Sequence, residues 1–114
     1  MIGPMPATIP DVIQDYQAAH DRRDTDLALA AFTADATVLD DGSEHHGPAE
    51  IRRWLAGAAS EYTFTRTLLG AEPLDEGRWL VRNHIEGDFP GGEVDLRYEF
   101  ALTDGLISRL VIAP

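Results

Sequence analysis

Apolar residues in the first part of the chain recur at helical spacing. The positions Ile9, Val12, Ile13, Tyr16 and Ala19 predict one buried stripe on a helix that ends near Arg22 or Arg23. Thr8 and Asp11 are spaced as in a capping box, which would open this helix. The Pro- and Gly-rich residues 1–7 that precede it are expected to be disordered. Because Tyr16 lies in the apolar stripe, we expect its hydroxyl to face the interior or a cavity.

Two further helices are predicted before residue 60. One covers about 24–32 and buries Leu27, Ala28, Ala31 and Phe32. The other covers about 49–59 and buries Ile51, Trp54, Leu55 and Ala58, with Pro48 in its first turn. Between them, residues 37–40 form a short strand, Asp41-Gly42 is a strong turn signal, and residues 43–46 form a short return strand.

From residue 62 onward, apolar and polar residues alternate with a period of two, which is typical of β-strands. Strands are predicted over 62–74, 78–89, 93–103 and 106–113, joined by hairpin turns at 75–77, 90–92 and 104–105. In the strand over 93–103 one face carries Val94, Leu96, Tyr98, Phe100 and Leu102. In the strand over 78–89 the corresponding face carries Trp79, Val81, Asn83, Ile85 and Phe89. The pattern predicts one α+β domain over 1–114, with three N-terminal helices packed on the concave face of a curved, cone-like antiparallel sheet. Three helices would not fill this concavity, so we expect a pocket between helices and sheet.

Charge and composition exclude several classes of function. The chain has 20 acidic and 9 basic residues and a net charge of -11, a field that repels phosphate backbones and anionic lipid. It contains no cysteine and no lysine, so thiol nucleophiles, disulfides, Schiff bases and a lysine-bearing phosphate loop are all excluded. We see no signal peptide and no apolar run of membrane-spanning length, so a cytoplasmic protein is the expectation.

Asp40 is the strongest single candidate for chemistry. It closes an apolar strand, where burial would raise the pKa of a carboxyl group and suit it to act as a general base. The alternative is that Asp40 only begins the Asp41-Gly42 turn. His45 could pair with Asp40 across that turn, or it could be a half-exposed residue of a short edge strand. The four histidines do not fall at the spacing of metal ligands, and no metal or cofactor is predicted.

Polar groups on otherwise apolar faces are the second set of candidates. Tyr16, Tyr98 and Asn83 could each donate a hydrogen bond to an oxyanion in a pocket, or could satisfy buried backbone groups instead. Trp54 and Tyr62 are predicted to be pocket wall or core. Val81 and Phe100 complete the expected apolar wall.

Four segments resemble the SnoaL-like branch of the nuclear transport factor 2-like superfamily, which has a cystatin-like fold. They are VIQDY at 12–16, LAAFTADATV at 29–38, GPAEIRRW at 47–54 and DGLIS at 104–108, and the resemblance covers about residues 8–112. It implies that Tyr16 matches the oxyanion-hole tyrosine of ketosteroid isomerases, that Asp40 matches their general base and that Trp54 is a pocket aromatic. Their second oxyanion donor, a protonated aspartate, is missing, and Tyr98 stands at the matching position. The Asp-Arg-Asp set of limonene epoxide hydrolase is also absent.

Two functions therefore remain open from the sequence. One is a cofactor-free isomerase or polyketide cyclase that takes a proton from the carbon next to a carbonyl of a small apolar ligand. The other is a non-catalytic ligand-binding or scaffold domain that uses the same cavity. The resemblance also implies a homodimer formed through the outer sheet face, where Arg82, His84, Arg97 and Glu99 could make complementary pairs.

Overall fold

The computed structural model describes residues 9–57 and 61–114, and its elements follow the predicted order. The helices are α1 (Asp11–Asp21), α2 (Thr25–Ala30) and α3 (Gly47–Ala56). The strands are β1 (Phe32–Asp40), β2 (Ser43–His46), β3 (Phe64–Pro73), β4 (Arg78–Gly87), β5 (Glu93–Thr103) and β6 (Leu106–Ala113). The α+β class and the curved, open sheet with three helices are confirmed.

The sheet has six strands in the order β2-β1-β6-β5-β4-β3. The meander predicted for the second half of the chain is confirmed, since β3 through β6 pair antiparallel in sequence order. The N-terminal hairpin joins this meander, because β1 pairs with β6. That pair is parallel, which the alternation of residues along each strand does not reveal. It places Asp40 beside Ile112, in the same row as Tyr98 of β5.

Several helix boundaries differ from the prediction. The second helix ends at Ala30. Phe32, predicted to be its last residue, begins β1 because it pairs with Ile107 of β6. Leu27, predicted to be buried, is 55% exposed. The first helix begins at Asp11 after Pro10. The predictions on residues 1–7, Thr8, Ala58 and Ala59 lie outside the described residues.

The core lies between the helices and the concave face of the sheet. Its fully buried side chains come from every layer and include Ile13, Tyr16, Val38, Ile51, Leu55, Val81, Phe100, Ile107 and Leu110. The strand faces are as predicted, since Val81, Asn83 and Ile85 of β4 are buried. The turn from β1 to β2 has Asp41 at φ 52° and Gly42 at φ 77°. This left-handed pair matches the twist of the strands and closes the hairpin directly after Asp40. No helix within 9–57 and 61–114 combines the length and apolarity needed to cross a membrane.

Candidate active site

A cavity of about 730 Å³ lies between α1, α3 and the concave face of the sheet. Its deep part is formed by buried side chains, among them Tyr16 and Trp54, and its rim by exposed residues such as Asp41, Tyr62 and Pro90. The remaining lining residues are His20, Asp40, Gly42, Phe64, Ile85, Phe89, Glu93, Val94, Leu96, Tyr98, Ile112, Ala113 and Pro114. Of the nine predicted site residues, the complete cavity lining contains Tyr16, Asp40, Trp54, Tyr62 and Tyr98.

Asp40 is half-buried at the end of β1, with Ser43 of β2 on one side and Ile112 of β6 on the other. Its Oδ2 accepts a hydrogen bond of 3.0 Å from the indole Nε1 of Trp54. Trp54 is 3% exposed and comes from α3, whose start is set by Gly47 and Pro48 directly after β2. The bond therefore fixes the carboxylate against α3. Within the described parts of the chain, Oδ1 has no hydrogen-bond partner and remains available to a ligand.

Two tyrosine hydroxyls share the cavity with Asp40. Tyr16 is 2% exposed on α1, and Tyr98 is half-buried on β5. Burial, and then the neighbouring Tyr98 and Asp40, raise the pKa of Tyr16 well above its ordinary value. Burial, and then Asp40, raise the pKa of Tyr98 to about 12. Both side chains are therefore neutral at physiological pH and can donate hydrogen bonds. Neither hydroxyl is paired with another group in residues 9–57 or 61–114.

His20 is a cavity residue that the sequence analysis did not select. Its ring lies parallel to that of Trp54, with 6.4 Å between centroids and an angle of 4°. It is also stacked on Tyr16 at 6.2 Å and 14°. A signal was present, because His20 follows Tyr16 by four residues, the spacing that puts two side chains on one face of a helix.

His45 does not form the expected pair with Asp40. Its cross-strand partner is Val38, and its ring packs against Trp54 at 6.0 Å between centroids. In the described residues the side-chain partner of Asp40 is Trp54, and His45 is not part of the cavity lining. The reason is the register of the hairpin, which places Ser43 and not His45 opposite Asp40.

Val81, Phe100 and Asn83, which were predicted to be substrate-binding residues, are not in the cavity lining. Val81 and Phe100 are 0% and 1% exposed and belong to the core. Asn83 is 0% exposed, and its Oδ1 accepts a hydrogen bond of 3.3 Å from Nη1 of Arg66. These three residues share strand faces with cavity residues, so alternation alone could not separate core from cavity.

Arg66 is the centre of a polar cluster between α1 and the sheet. Its Nη1 also donates to Oε1 of Gln17 at 3.3 Å, and its Nε and Nη2 donate to the carboxylate of Asp21 at 3.1 and 2.8 Å. Gln17 is 5% exposed. The amide nitrogens of Gln17 and Asn83 are buried without a partner among the described residues. This cluster, Gln17, Asp21, Arg66 and Asn83, fixes α1 and hence Tyr16 relative to β3 and β4.

The described residues contain one group with the composition of a metal site. His84, Glu86 and Glu93 have ligand atoms within 4.8 Å of one another, next to Asp95. His84 is already hydrogen-bonded to Asp95 at 2.5 Å and to Glu86 at 3.0 Å. These hydrogen bonds and the exposure of the acids are those of a surface ion-pair network.

The fold and cavity together define a class of protein: a cone-like α+β domain with a cavity lined by a carboxylate and two tyrosines. The model of the SnoaL-like domain family matches residues 13–110. The chain belongs to this family. Among curated proteins, no sequence matches the chain at a significant level.

Solved structures support the assignment. A candidate polyketide cyclase from Sinorhizobium meliloti is 36% identical, with 92% of this chain and 95% of that chain covered and a TM-score of 0.85. A hypothetical protein with a ketosteroid isomerase-like fold from Catenulispora acidiphila, in complex with trimethylamine, is 18% identical over 94% and 87% of the two chains, with a TM-score of 0.81. A Mycobacterium tuberculosis protein in complex with estradiol-17β-hemisuccinate is 17% identical over 91% of each chain, with a TM-score of 0.77. The last two show similarity of fold alone.

Proposed function

We propose that the protein is a cofactor-free enzyme that removes a proton from the carbon next to a carbonyl group of a small, largely apolar ligand. Asp40 is the base, and Tyr16 and Tyr98 hold the oxygen of the resulting enolate. The observation that carries this proposal is a cavity lined by a fixed carboxylate and two neutral tyrosine hydroxyls that have no hydrogen-bond partner among the described residues.

The chemistry of these groups supports the assignment of roles. A carboxylate accepts protons, and a neutral hydroxyl stabilises negative charge on oxygen by hydrogen bonding. The Trp54 indole holds Oδ2 of Asp40, so Oδ1 is the atom that would take the proton. Apolar walls such as Ile85 and Leu96 lower the local dielectric constant and strengthen these interactions. The outcome would be isomerisation of the ligand or an aldol-type ring closure.

Exchange of ligand protons with heavy water tests the proposal without knowledge of the natural substrate. A simple ketone, 2-tetralone, is incubated with the protein in D2O, and loss of the proton signal next to the carbonyl is followed by NMR. We expect Asp40→Asn to slow exchange by about 100-fold or more. The variant Tyr16→Phe/Tyr98→Phe is expected to slow it by about 100- to 1,000-fold, the effect of losing oxyanion donors.

The neighbouring exposed carboxylate provides a matched control. Asp41→Asn changes the same chemical group one residue away at the rim and retains the left-handed turn, because Asn tolerates φ 52°. We expect exchange within about twofold of the unaltered protein, since a surface charge contributes little. Full exchange activity in Asp40→Asn would remove Asp40 from the mechanism.

A non-catalytic ligand-binding protein is the second candidate. It is favoured by the hydrogen bond from Trp54, which occupies one oxygen of Asp40 and could serve only to anchor α3 to the strand. In this case calorimetry would detect binding of apolar ketones, while the rate of proton exchange would equal that of the ketone alone. The two candidates are therefore separated by the same NMR experiment.

The homodimer stays a prediction. On the outer sheet face Arg82 lies directly opposite Arg97, and His84 is paired with Asp95 within the chain. The Arg82–Arg97 pair leaves positive charge available to an acidic group, and the half-buried Glu99 of β5 on a second copy would provide one. Light scattering on Arg82→Glu/Arg97→Glu tests it, because a dimer held by this face would dissociate.

A further inference from the structure

His20 belongs to a wall of stacked rings that its neighbours hold in a fixed orientation. It lies in the last turn of α1 and stacks on Tyr16 of the same helix and on Trp54 of α3. Phe64 of β3 contacts the ring from a third side, at 6.0 Å between centroids and 35°. We call Tyr16, His20 and Trp54 the ring wall. Three different elements therefore set the position of the imidazole before any ligand binds.

The ring wall brings an acid-base pair to one side of the cavity. Trp54 is stacked on His20 and also donates its Nε1–H to Asp40, so the imidazole and the carboxylate both contact the same indole. Both groups line the cavity. The charged residues that line the same cavity as His20 are Asp40, Asp41 and Glu93, and Arg23 and Asp24 line a small pocket with it at the end of α1. A carboxylate only accepts protons, whereas an imidazolium can deliver one.

We propose that His20 is the general acid for a ligand with two carbonyl groups, which rests on the role of Asp40 proposed above. Asp40 takes the proton from the carbon next to the first carbonyl, and that carbon forms a bond to the carbon of the second carbonyl. The π electrons of the second C=O move to its oxygen, which takes the N–H proton of the His20 imidazolium. Asp40 ends protonated and His20 neutral, and water in the open cavity returns the proton from Asp40 to His20. The substrate class is a dicarbonyl compound, and the reaction is an intramolecular aldol closure.

Other groups at the cavity are less suited to this proton transfer. The raised pKa of Tyr16 and of Tyr98 makes each hydroxyl a donor that holds a hydrogen bond and releases its proton poorly. His45 contacts the same indole, but it does not line the cavity. In the described residues, His20 is the imidazole that a ligand beside Asp40 can reach.

Ring closure of heptane-2,6-dione to 3-hydroxy-3-methylcyclohexanone, followed by NMR, tests the inference. Each variant is measured for this closure and for deuterium exchange of 2-tetralone, and the ratio of the two rates is the readout. Exchange requires only the base, whereas closure also requires the acid. We expect His20→Phe, which keeps a ring in the wall, to lower the ratio by about 100-fold. His45→Phe is the matched control on the same indole, and its ratio should stay within about twofold of the unaltered protein.

Three results would overturn the inference: an unchanged ratio in His20→Phe, a lowered ratio in His45→Phe of equal size, or no closure by the unaltered protein above that of Asp40→Asn. If His20→Phe does not fold, NMR of the unaltered protein decides. The dione should then shift the imidazole nitrogen signals of His20 and leave those of His45 in place, and the reverse would refute it. Loss of 2-tetralone exchange from the unaltered protein would instead refute the role of Asp40.

Discussion

Replacement of Trp54 by phenylalanine should show how strongly the indole holds the site together. The variant removes the N–H that donates to Asp40 Oδ2 at 3.0 Å and leaves an aromatic ring in a position that is 3% exposed. Loss of a hydrogen bond to a charged group costs about 1.5–3 kcal/mol. The missing part of the indole leaves a void of roughly 40 Å³, which adds about 1 kcal/mol. The sum is about 3 kcal/mol, or a fall in Tm on the order of 10 °C for a domain of this size.

A double-mutant cycle with Asp40→Ala isolates the hydrogen bond from the void. Urea unfolding of both single variants and the double variant should give a coupling free energy of about 1–2 kcal/mol between Trp54 and Asp40. Trp79→Phe is the control, because this second tryptophan is half-buried on β4 and is not among the cavity residues. Its cycle with Asp40→Ala should be additive within about 0.5 kcal/mol. A Trp54 coupling as small as that of Trp79 would mean that the indole does not hold the carboxylate.

Three further predictions concern the scaffold. Arg66→Met leaves the buried amide oxygens of Gln17 and Asn83 without their donor and should cost about 2–4 kcal/mol in urea unfolding. Arg78→Met breaks an exposed pair with Asp75 and should leave the urea midpoint nearly unchanged, and equal shifts for the two variants would contradict the assignment. Hydrogen bonds to Asp95 and Glu86 raise the pKa of His84 above its ordinary 6.5, so its stabilising effect should be complete below pH 6.5 and be lost as pH rises through the folded-state value. In thermal unfolding, His84→Asn should remove that part of the pH dependence, and an unchanged profile would exclude His84 as its source. Gly87→Ala would drive a Cβ into the backbone carbonyl oxygen of Thr63 and should destabilise the β3–β4 pair strongly. Gly70→Ala meets only the end of the Arg82 side chain and should be mild, and similar Tm values for the two variants would show that the strands move apart easily.

The strands of the second half could be predicted from sequence because their information is local. The alternation of apolar residues and the Gly-containing turns predict β5 and β6 with the same bounds as the structure. The boundary between α2 and β1 could not be predicted in this way. Phe32 follows an Ala-rich segment with helical spacing, and its place in a strand depends on Ile107, which is 75 residues away in sequence. Tertiary pairing decided the conformation against local preference.

Some residues of the candidate site could likewise be predicted from the sequence, whereas others could not. Asp40, Tyr16 and Tyr98 are polar residues at apolar positions, a feature visible in one sequence, and all three line the cavity. Val81 and Phe100 share faces with cavity residues but lie in the core, because depth under the helices depends on how the helices pack. His20 could not be selected from the sequence alone, because it lines the cavity next to rings that come from α3 and β3 as well as α1. Residues whose role depends on several elements require the structure.

The parallel pairing of β1 with β6 has a consequence for folding. Leu106–Ala113 lies between β1 and β5, so it is the strand that connects the N-terminal helical part to the rest of the sheet. Asp40 and Tyr98 become neighbours only when β6 has been inserted between their strands. Such long-range closure slows folding, and it ties both halves into one cooperative unit. We therefore expect native-state hydrogen exchange to show no separately stable N-terminal half: opening at β6 should expose the amides of β1 and β5 together.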